Sequence, residues 1–343
     1  MTAALRFLWP LLALLVPLAL VALLGSQAPV VLQRVITEAF IRLVMVVGLY
    51  IFIGNSGVLS FGHGAFMMLG AYASAWTVTP LKVKKIMMAN LPDLLKTAEL
   101  PPAAGAGLAM LWAALIAFVV GIPLMQLTGI AASIGTFSVL MIVYVIFSNW
   151  DSLTGGTSSL IGLPIYANIW VAFGCAAGSM TIAYLFQSTR LCLALRAARE
   201  DEAAARSVGI HVHRVRLAAF VLSAAVVALG GVLQVHFLGT ANVAQFYLGV
   251  TFLTLAMLVV GGSRSLAGAV AGTALIAVVS ELLRRVESGF SLFGLAIKAP
   301  PGLLEVGLAL VLLLVLVFRP KGITGGREIP LPRKPTLPKP RRR

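Results

Sequence analysis

Residues able to do chemistry in this chain fall at the ends of long apolar runs or in polar breaks within them. Glu38 and Arg42 stand four apart, and Glu281 precedes Arg284 and Arg285 at helical pairing distance. Charge at bilayer depth is costly, so such groups either anchor the structure in pairs or relay protons. Both readings apply here, yet no chain of carboxylates crosses from one end of the protein to the other. His211 and His213 lie two residues apart, which puts them on different sides of a helix. No cysteine or second histidine cluster completes a metal set with them. His236 is expected to pack within its span. Cys175 and Cys192 have no paired spacing, so neither a disulfide framework nor a metal knuckle is expected. A G-x-x-x-x-G-K-[ST] phosphate loop is missing, so the chain does not bind ATP in that way.

The strongest concentration of charge is Ser188–Arg216, with six arginines and the consecutive acids Glu200, Asp201 and Glu202, in a chain only 11% charged. Leu191, Leu195, Ala198 and Ala205 recur at helical spacing, and the alanines favour a helix. Arg199 and Glu202 form an i,i+3 pair, and Glu202 and Arg206 an i,i+4 pair. Gly209 fits the left-handed residue that ends the helix. The run is either a solvated connector whose charges satisfy one another or a short helix held outside the membrane for another protein to grip.

Two glycine-rich stretches interrupt apolar sequence: Gly54-Asn55-Ser56-Gly57-Val58-Leu59-Ser60-Phe61-Gly62-His63-Gly64 and Gly261-Gly262-Ser263-Arg264-Ser265-Leu266-Ala267-Gly268. Gly268 and Gly272 form a small-xxx-small pattern suited to close helix contact. Breaks of this kind also mark transport pathways, because unwound backbone at membrane depth needs protein or water around it. Helix packing and a pathway are equally compatible with these residues.

The elements that position these groups are membrane helices. Of 343 residues, 60% are hydrophobic and the mean hydropathy is +1.01. Runs of about 20 apolar residues, the length that crosses a bilayer, recur through the chain. About ten spans are predicted, within a range of 8–10, near 7–25, 35–53, 58–79, 103–127, 130–149, 164–187, 216–239, 246–261, 266–284 and 302–318. The fold class is all-α, a polytopic helical membrane protein. The first run, Phe7–Leu24, is read as a retained span, since no small-x-small cleavage site follows it. The positive-inside rule places the arginine-rich loop, Arg264, Arg6 and the basic tail in the cytoplasm, with both termini there. Lys82, Lys84, Lys85 and Lys96 disagree, lying in a loop that ten spans put outside. Either that loop is an exception or a run near Asn55 is re-entrant. Nine of the 26 basic residues fall from Arg319 onward. Residues 327–343 are expected to be a disordered, Pro-rich cytoplasmic tail near anionic lipid, beyond a membrane domain of 1–326. The net charge of +15 arises from loops and tail, so no nucleic-acid role is expected.

Several motifs together resemble the LivM-type permease subunits of ATP-binding-cassette importers for branched-chain amino acids. They are Gly57-Val58-Leu59-Ser60-Phe61-Gly62-His63-Gly64-Ala65-Phe66 with Gly70-Ala71-Tyr72, then Ser152-Leu153-Thr154-Gly155-Gly156 and Ala194-Leu195-Arg196-Ala197-Ala198-Arg199-Glu200-Asp201-Glu202. Ala218-Ala219-Phe220-Val221-Leu222-Ser223-Ala224, Gly261-Gly262 and Phe318-Arg319-Pro320-Lys321-Gly322 follow. In order and spacing they cover most of 37–323; the loop 81–101 and the chain beyond Gly326 lie outside the resemblance.

The resemblance implies that 188–216 is a cytoplasmic coupling loop, in which a 194–209 helix docks into a groove of an ATPase subunit. Ala204-Ala205-Arg206-Ser207-Val208-Gly209 matches the Ala-Ala-x-x-x-Gly part of the family's "EAA" loop. Glu202 stands one residue early, and the downstream Leu-Pro is missing. Arg199, Glu200, Asp201, Glu202, Ala204, Ala205, Arg206 and Gly209 are therefore the expected coupling residues. Asn55, Ser56, Gly57, Ser60, His63, Asn242, Gly261 and Gly262 are the candidate lining of a translocation path. The resemblance further implies a second permease subunit, two ATP-binding subunits that use ATP and magnesium, a periplasmic solute-binding protein and a bacterial inner membrane. No cofactor or metal is expected on this chain itself. The alternative is an ion-coupled secondary transporter that acts without an ATPase.

Overall fold

The computed structural model of the protein describes residues 3–88, 91–292, 295–297, 300 and 302–329. Helices α1 (Ala3–Ser26) and α2 (Val30–Leu49) come first, and α2 continues into a π-helical turn, Tyr50–Gly54. Then come α3 (His63–Val78), the short α4 (Leu81–Met87) and α5 (Asp93–Thr97), α6 (Pro102–Leu124), α7 (Gly129–Ser148), the single turn α8 (Asp151–Thr154) and α9 (Ile169–Gln187). The arginine-rich run forms α10 (Arg190–Glu200) and α11 (Glu202–Ser207). The chain then enters α12 (Val212–Leu238), α13 (Leu248–Gly261), α14 (Leu266–Ser288) and α15 (Leu303–Phe318). Two short antiparallel pairs complete the structure, β1 (Leu160–Ile161) with β2 (Thr240–Ala241) and β3 (Phe290–Leu292) with β4 (Leu295–Ile297).

Among the described residues, eight helices are long and apolar enough to cross a membrane. The two predicted spans outside that set, 58–79 and 302–318, are α3 and α15, each 16 residues long. The first of them starts five residues later than expected because Gly57, at φ +73°, turns the chain before helix can resume. Every residue of α3 except Trp76 is buried, so this short helix runs through protein. The 246–261 run is a 3₁₀ turn, Val243–Phe246, followed by α13.

Helix α12 is the hub, packed against α2, α3 and α6. Small residues permit the approach. A Cβ on Gly231 would lie 2.0 Å from the Met67 carbonyl oxygen, and one on Gly70 2.5 Å from that of Ala228. The small-xxx-small expectation holds at α13 and α14: a Cβ on Gly272 would meet the carbonyl oxygen of Met257 at 1.9 Å, and one on Gly268 that of Gly262 at 2.1 Å.

Contacts between loops gather at two opposite ends. At one end Arg199 lies on Gly57, and His213 Nδ1 donates to the Met125 carbonyl at 3.0 Å. At the other, Trp76 donates to the Leu153 carbonyl at 2.8 Å, and Val83 lies beside Gly162. The lysine-bearing loop therefore sits away from the arginine-rich one. Lys84 is not displayed on its surface: it is buried, and its ammonium donates to the carbonyls of Leu95, at 3.1 Å, and of Ala98. Burial lowers its pKa, opposed by Glu99. A Gly231→Val substitution should push α12 off α3, costing about 1–3 kcal/mol for overpacking. Its apparent melting temperature in detergent should fall by several degrees, whereas Gly107→Ala, with open space around it, should leave it in place.

Candidate functional site

The predicted coupling residues occupy two helices rather than one. Asp201 takes an extended conformation, φ −151° and ψ 109°, and its Oδ1 accepts the Ala204 N–H at 2.9 Å, which caps α11. Consequently the expected Arg199–Glu202 pair does not form, and Arg199 pairs with Glu200 at 2.7 Å. Glu202 instead binds Arg206 at 2.5 Å and Arg216, at the start of α12, at 2.8 Å. Gly209 does adopt the left-handed conformation, φ +86°, and Ile210 N–H closes onto the Ala205 carbonyl at 3.1 Å. Ala205 is buried with Ala198 and Val212, while Ala204 is exposed and its N–H serves the Asp201 cap.

The inner face of α10 is fastened to the end of α2. Arg196 Nε donates to Asn55 Oδ1 at 2.8 Å, the Cys192 thiol reaches the same oxygen at 3.2 Å, and Asn55 Nδ2 donates to the Ile51 carbonyl at 3.0 Å. Arg199 Nη1 donates to the Gly54 carbonyl at 2.7 Å, and its stem lies on Gly57, where a Cβ would come 2.6 Å from Arg199 Cγ. Thus the Gly54 carbonyl and the Asn55 side-chain oxygen find their partners on α10, while the Ile51 carbonyl takes the Asn55 amide. Burial raises the Cys192 thiol pKa, against the pull of Arg196 and Arg199.

A second knot lies beside the first. The Tyr50 hydroxyl accepts from Gln187 Nε2 at 2.5 Å, lies 3.4 Å from Arg196 Nη2 and donates to Glu328 Oε1 at 3.3 Å. Glu328 Oε1 also accepts from Gln187 Nε2 at 3.1 Å and from the Leu266 N–H at 2.7 Å, so this carboxylate caps α14. The segment that carries it is held by Ile323 N–H on the Val260 carbonyl at 2.9 Å and Thr324 N–H on the Gly261 carbonyl at 3.1 Å. The domain boundary drawn at Gly326 thus stops short of the last docked side chain; tail residues 330–343 lie outside the described residues. Sequence reasoning missed Tyr50, Gln187 and Glu328. One signal was there: Glu328 is the only acid after Glu305.

The candidate path residues are not brought together. Asn55, Ser56 and Gly57 lie under α10; Asn55 and Ser56 are buried there. Gly261 and Gly262 form backbone contacts with α14 and with Lys321–Thr324. Asn242 is at the opposite end, donating to Ser159 Oγ at 3.0 Å and capping the 3₁₀ turn through the Ala244 N–H at 2.8 Å. Ser60 and His63 are in the core. Ser223 donates its proton to the Gly48 carbonyl at 2.6 Å, so it accepts at 2.7 Å from His63 Nε2, which leaves Nδ1 to accept from Ser60 at 2.8 Å. These bonds fix a neutral ring that ties α2, α3 and α12. A cavity of about 890 Å³ opens elsewhere, and none of the eight residues lines it.

Residues 31–318 match the family described as the branched-chain amino acid transport system permease component. The chain belongs to this family. It is 24% identical to LivM of Escherichia coli K12, a high-affinity branched-chain amino acid transport system permease protein, over 331 residues that take in 84% of this chain and 68% of the relative. LivM of Salmonella typhimurium is 25% identical over the same shares. LivH of Escherichia coli K12, another permease protein of that system, is 27% identical over 298 residues, 80% of this chain and 88% of the relative. No solved structure matches significantly. In this multi-pass permease the two knots join α2, α9, α10, α14 and the C-terminal segment at one end of the bundle.

Glu202 gives the permease a pH signature. Burial raises its pKa, but hydrogen bonds and charge from Arg216 and Arg206 outweigh that and hold it below the ordinary value. Such a group stabilises above its unfolded pKa, about 4.3 for glutamate, and the contribution is lost as pH falls through the folded value. Amide exchange protection across 202–216 should therefore hold from neutral pH to about pH 5 and drop below it. In Glu202→Gln it should be roughly tenfold weaker at neutral pH and insensitive to acid. Removing the α14 cap by Glu328→Ala should cost about 1 kcal/mol, read as faster exchange at Leu266 and Ala267.

Proposed function

We propose that this chain is the membrane-spanning subunit of an ATP-binding-cassette importer for branched-chain or related amino acids in a bacterial inner membrane. It works with a second permease subunit, two ATP-binding subunits that hydrolyse ATP with magnesium, and an external solute-binding protein. What carries the reading is a helix fastened on one side and bare on the other. The inner face of α10 is bonded to the end of α2, while Leu191 and Leu193 on α10 and Val208 just after α11 are 47%, 60% and 75% exposed. Self-paired charges would account for a solvated connector, but not for three bare aliphatic side chains or for guanidinium groups directed into the membrane domain. Arg206 and Glu200 are placed to meet a polar rim around such an apolar patch.

A push on α10 is delivered through Arg196 and Arg199 to Asn55 and Gly54, and so to α2. The helix and its π-turn run from Val30 to Gly54, which carries the displacement to the far end of the bundle. Glycine contacts along α12 and between α13 and α14 let neighbouring helices shift as packed units. α11 travels with α12 through Glu202 and Arg216. The family assignment favours this reading over an ion-coupled transporter, and the pairing of Glu38 with Arg42 and of Glu281 with Arg285 accounts for those carboxylates as anchors.

Proteoliposomes holding the full assembly should take up leucine-like amino acids only with ATP inside, and the chain by itself should not respond to an ion gradient. Glu202→Arg, which sets a third cation between Arg206 and Arg216, should lower ATP-driven uptake at least tenfold while insertion and subunit assembly persist. Uptake by the isolated chain, or wild-type uptake in Glu202→Arg, would refute the assignment.

A further inference from the structure

At the end of the bundle opposite α10 and α11, a cavity of about 890 Å³ opens between the start of α2, the residues leading into α9, the end of α12 and the end of α14. Its wall carries both signs of charge: Arg34 and Glu38 from α2, and Glu281, Arg284 and Arg285 from α14. Glu38 is paired with Arg42 and Glu281 with Arg285 at 2.7 Å. Among the described residues, the guanidinium groups of Arg34 and Arg284 have no ion-pair or hydrogen-bond partner. Aliphatic side chains, among them Val31, Val35, Ile165 and Ile169, and uncharged polar ones, among them Gln33 and Asn168, complete the lining. A smaller pocket continues inward between α2 and α14, lined by Glu38, Arg42, Ser280, Glu281 and Arg284. Ser280 is only 4% exposed, and its hydroxyl has no hydrogen-bond partner. A buried polar group without a partner carries an energetic cost that an arriving ligand can relieve.

We infer that this vestibule is a binding site for a zwitterionic aliphatic amino acid. The solute carboxylate takes the free guanidinium groups of Arg34 and Arg284, and its ammonium group lies against Glu38 and Glu281. Its side chain rests on the aliphatic wall, and the small pocket at Ser280, about 10 Å³, is the size of one water. A ligand without a carboxylate leaves the unpartnered guanidinium groups of Arg34 and Arg284 without a counter-charge, and one without an ammonium group forgoes the remaining acceptor capacity of the paired Glu38 and Glu281. Sites built to pair a substrate's polar groups discriminate strongly in this way. The cavity is within the range of small-molecule sites, about 300–1,000 Å³, and much larger than one amino acid, so it holds solute loosely, as an open mouth of a pathway must. The inference deepens the proposed transport function by naming where the solute first meets this chain.

The test is saturation-transfer NMR on the full-length chain in phosphatidylglycerol nanodiscs, with three probes: L-leucine, L-leucinamide, which lacks the carboxylate, and 4-methylpentanoate, which lacks the ammonium group. Leucine should give a saturable signal at least tenfold stronger than either analogue. Arg284→Gln and Arg34→Gln, both at exposed positions, should lower it at least tenfold, and Lys82→Gln on the same end should not change it. A leucinamide signal equal to that of leucine, or leucine binding unchanged in both arginine variants, overturns the inference. Phosphatidylethanolamine offers the same pair of charges, and leucine binding that vanishes when it replaces phosphatidylglycerol would assign the site to lipid and overturn the inference too. The transport reading is judged separately. ATP-driven uptake by the assembly with no leucine signal here sinks only the vestibule; arginine-dependent binding with no ATP-driven uptake sinks only the importer.

Discussion

Where α2 widens into the π-turn at Tyr50–Gly54, the regular helical ladder is broken and backbone groups are released. At membrane depth these groups must find partners in protein or lined water, because lipid supplies none. Here the partners come from Asn55 and, across the chain, from α10: the Gly54 carbonyl takes the Arg199 guanidinium, and Asn55 bridges the Ile51 carbonyl to Arg196. Satisfying the end of α2 and attaching α10 are therefore one event. The Gly54 carbonyl stands at the end of the helix, where no following turn supplies a donor, and without Arg199 it would lose the partner that α10 gives it. This dependence explains why a loop rich in charge can be rigid at its inner face while its outer face is free for another surface.

The same end is stiffened from a second direction. Glu328 lies far from Tyr50 in sequence, yet its carboxylate joins Tyr50, Gln187 and the first N–H groups of α14. Gly322, at φ +75°, allows the segment to lie directly on Gly261 and Gly262; a Cβ there would come 2.5 Å from Gly262 backbone atoms. The Gly261-Gly262 motif is consequently a backbone platform on which the chain returns after α15. Displacing α10 must therefore move α2 and α14 together, or break a charge-assisted knot.

Much of the architecture was legible in apolar run length, and the boundary errors have local causes. Gly209 could be read directly, because few other residues tolerate its φ. The division at Asp201 could not: alanines on both sides favour one continuous helix, and only the competition of the aspartate side chain for the Ala204 N–H breaks it. Asn55 drew attention as a polar residue in an apolar stretch, which is correct, but its partner Arg196 is 141 residues away and periodicity carries no such information. Glu328 was grouped with a basic tail by composition, although a single acid among cations already hinted at a specific contact. Lys84 shows the converse, since a lysine in a polar loop reads as exposed until the carbonyls of Leu95 and Ala98 are seen to enclose its ammonium.

Charge in this permease is concentrated at two ends, about 25 Å apart along α2 between Glu38 and Asn55 at 1.5 Å per residue. Between them, the two buried histidines are hydrogen-bonded at both ring nitrogens. His63 is bonded at both ring nitrogens by Ser60 and Ser223, and His236 donates from Nδ1 to the Pro164 carbonyl at 2.9 Å and accepts from Ser74 at 2.8 Å. A proton or cation moving through this core would have to displace hydrogen bonds that pin α3 to α12, rather than step between ready acceptors. What does connect the two ends is a packed helix, with small residues on its neighbours that allow it to shift. In the proposed mechanism, energy supplied at α10 reaches the far end as displacement, a form of transmission that needs no titratable group on the way.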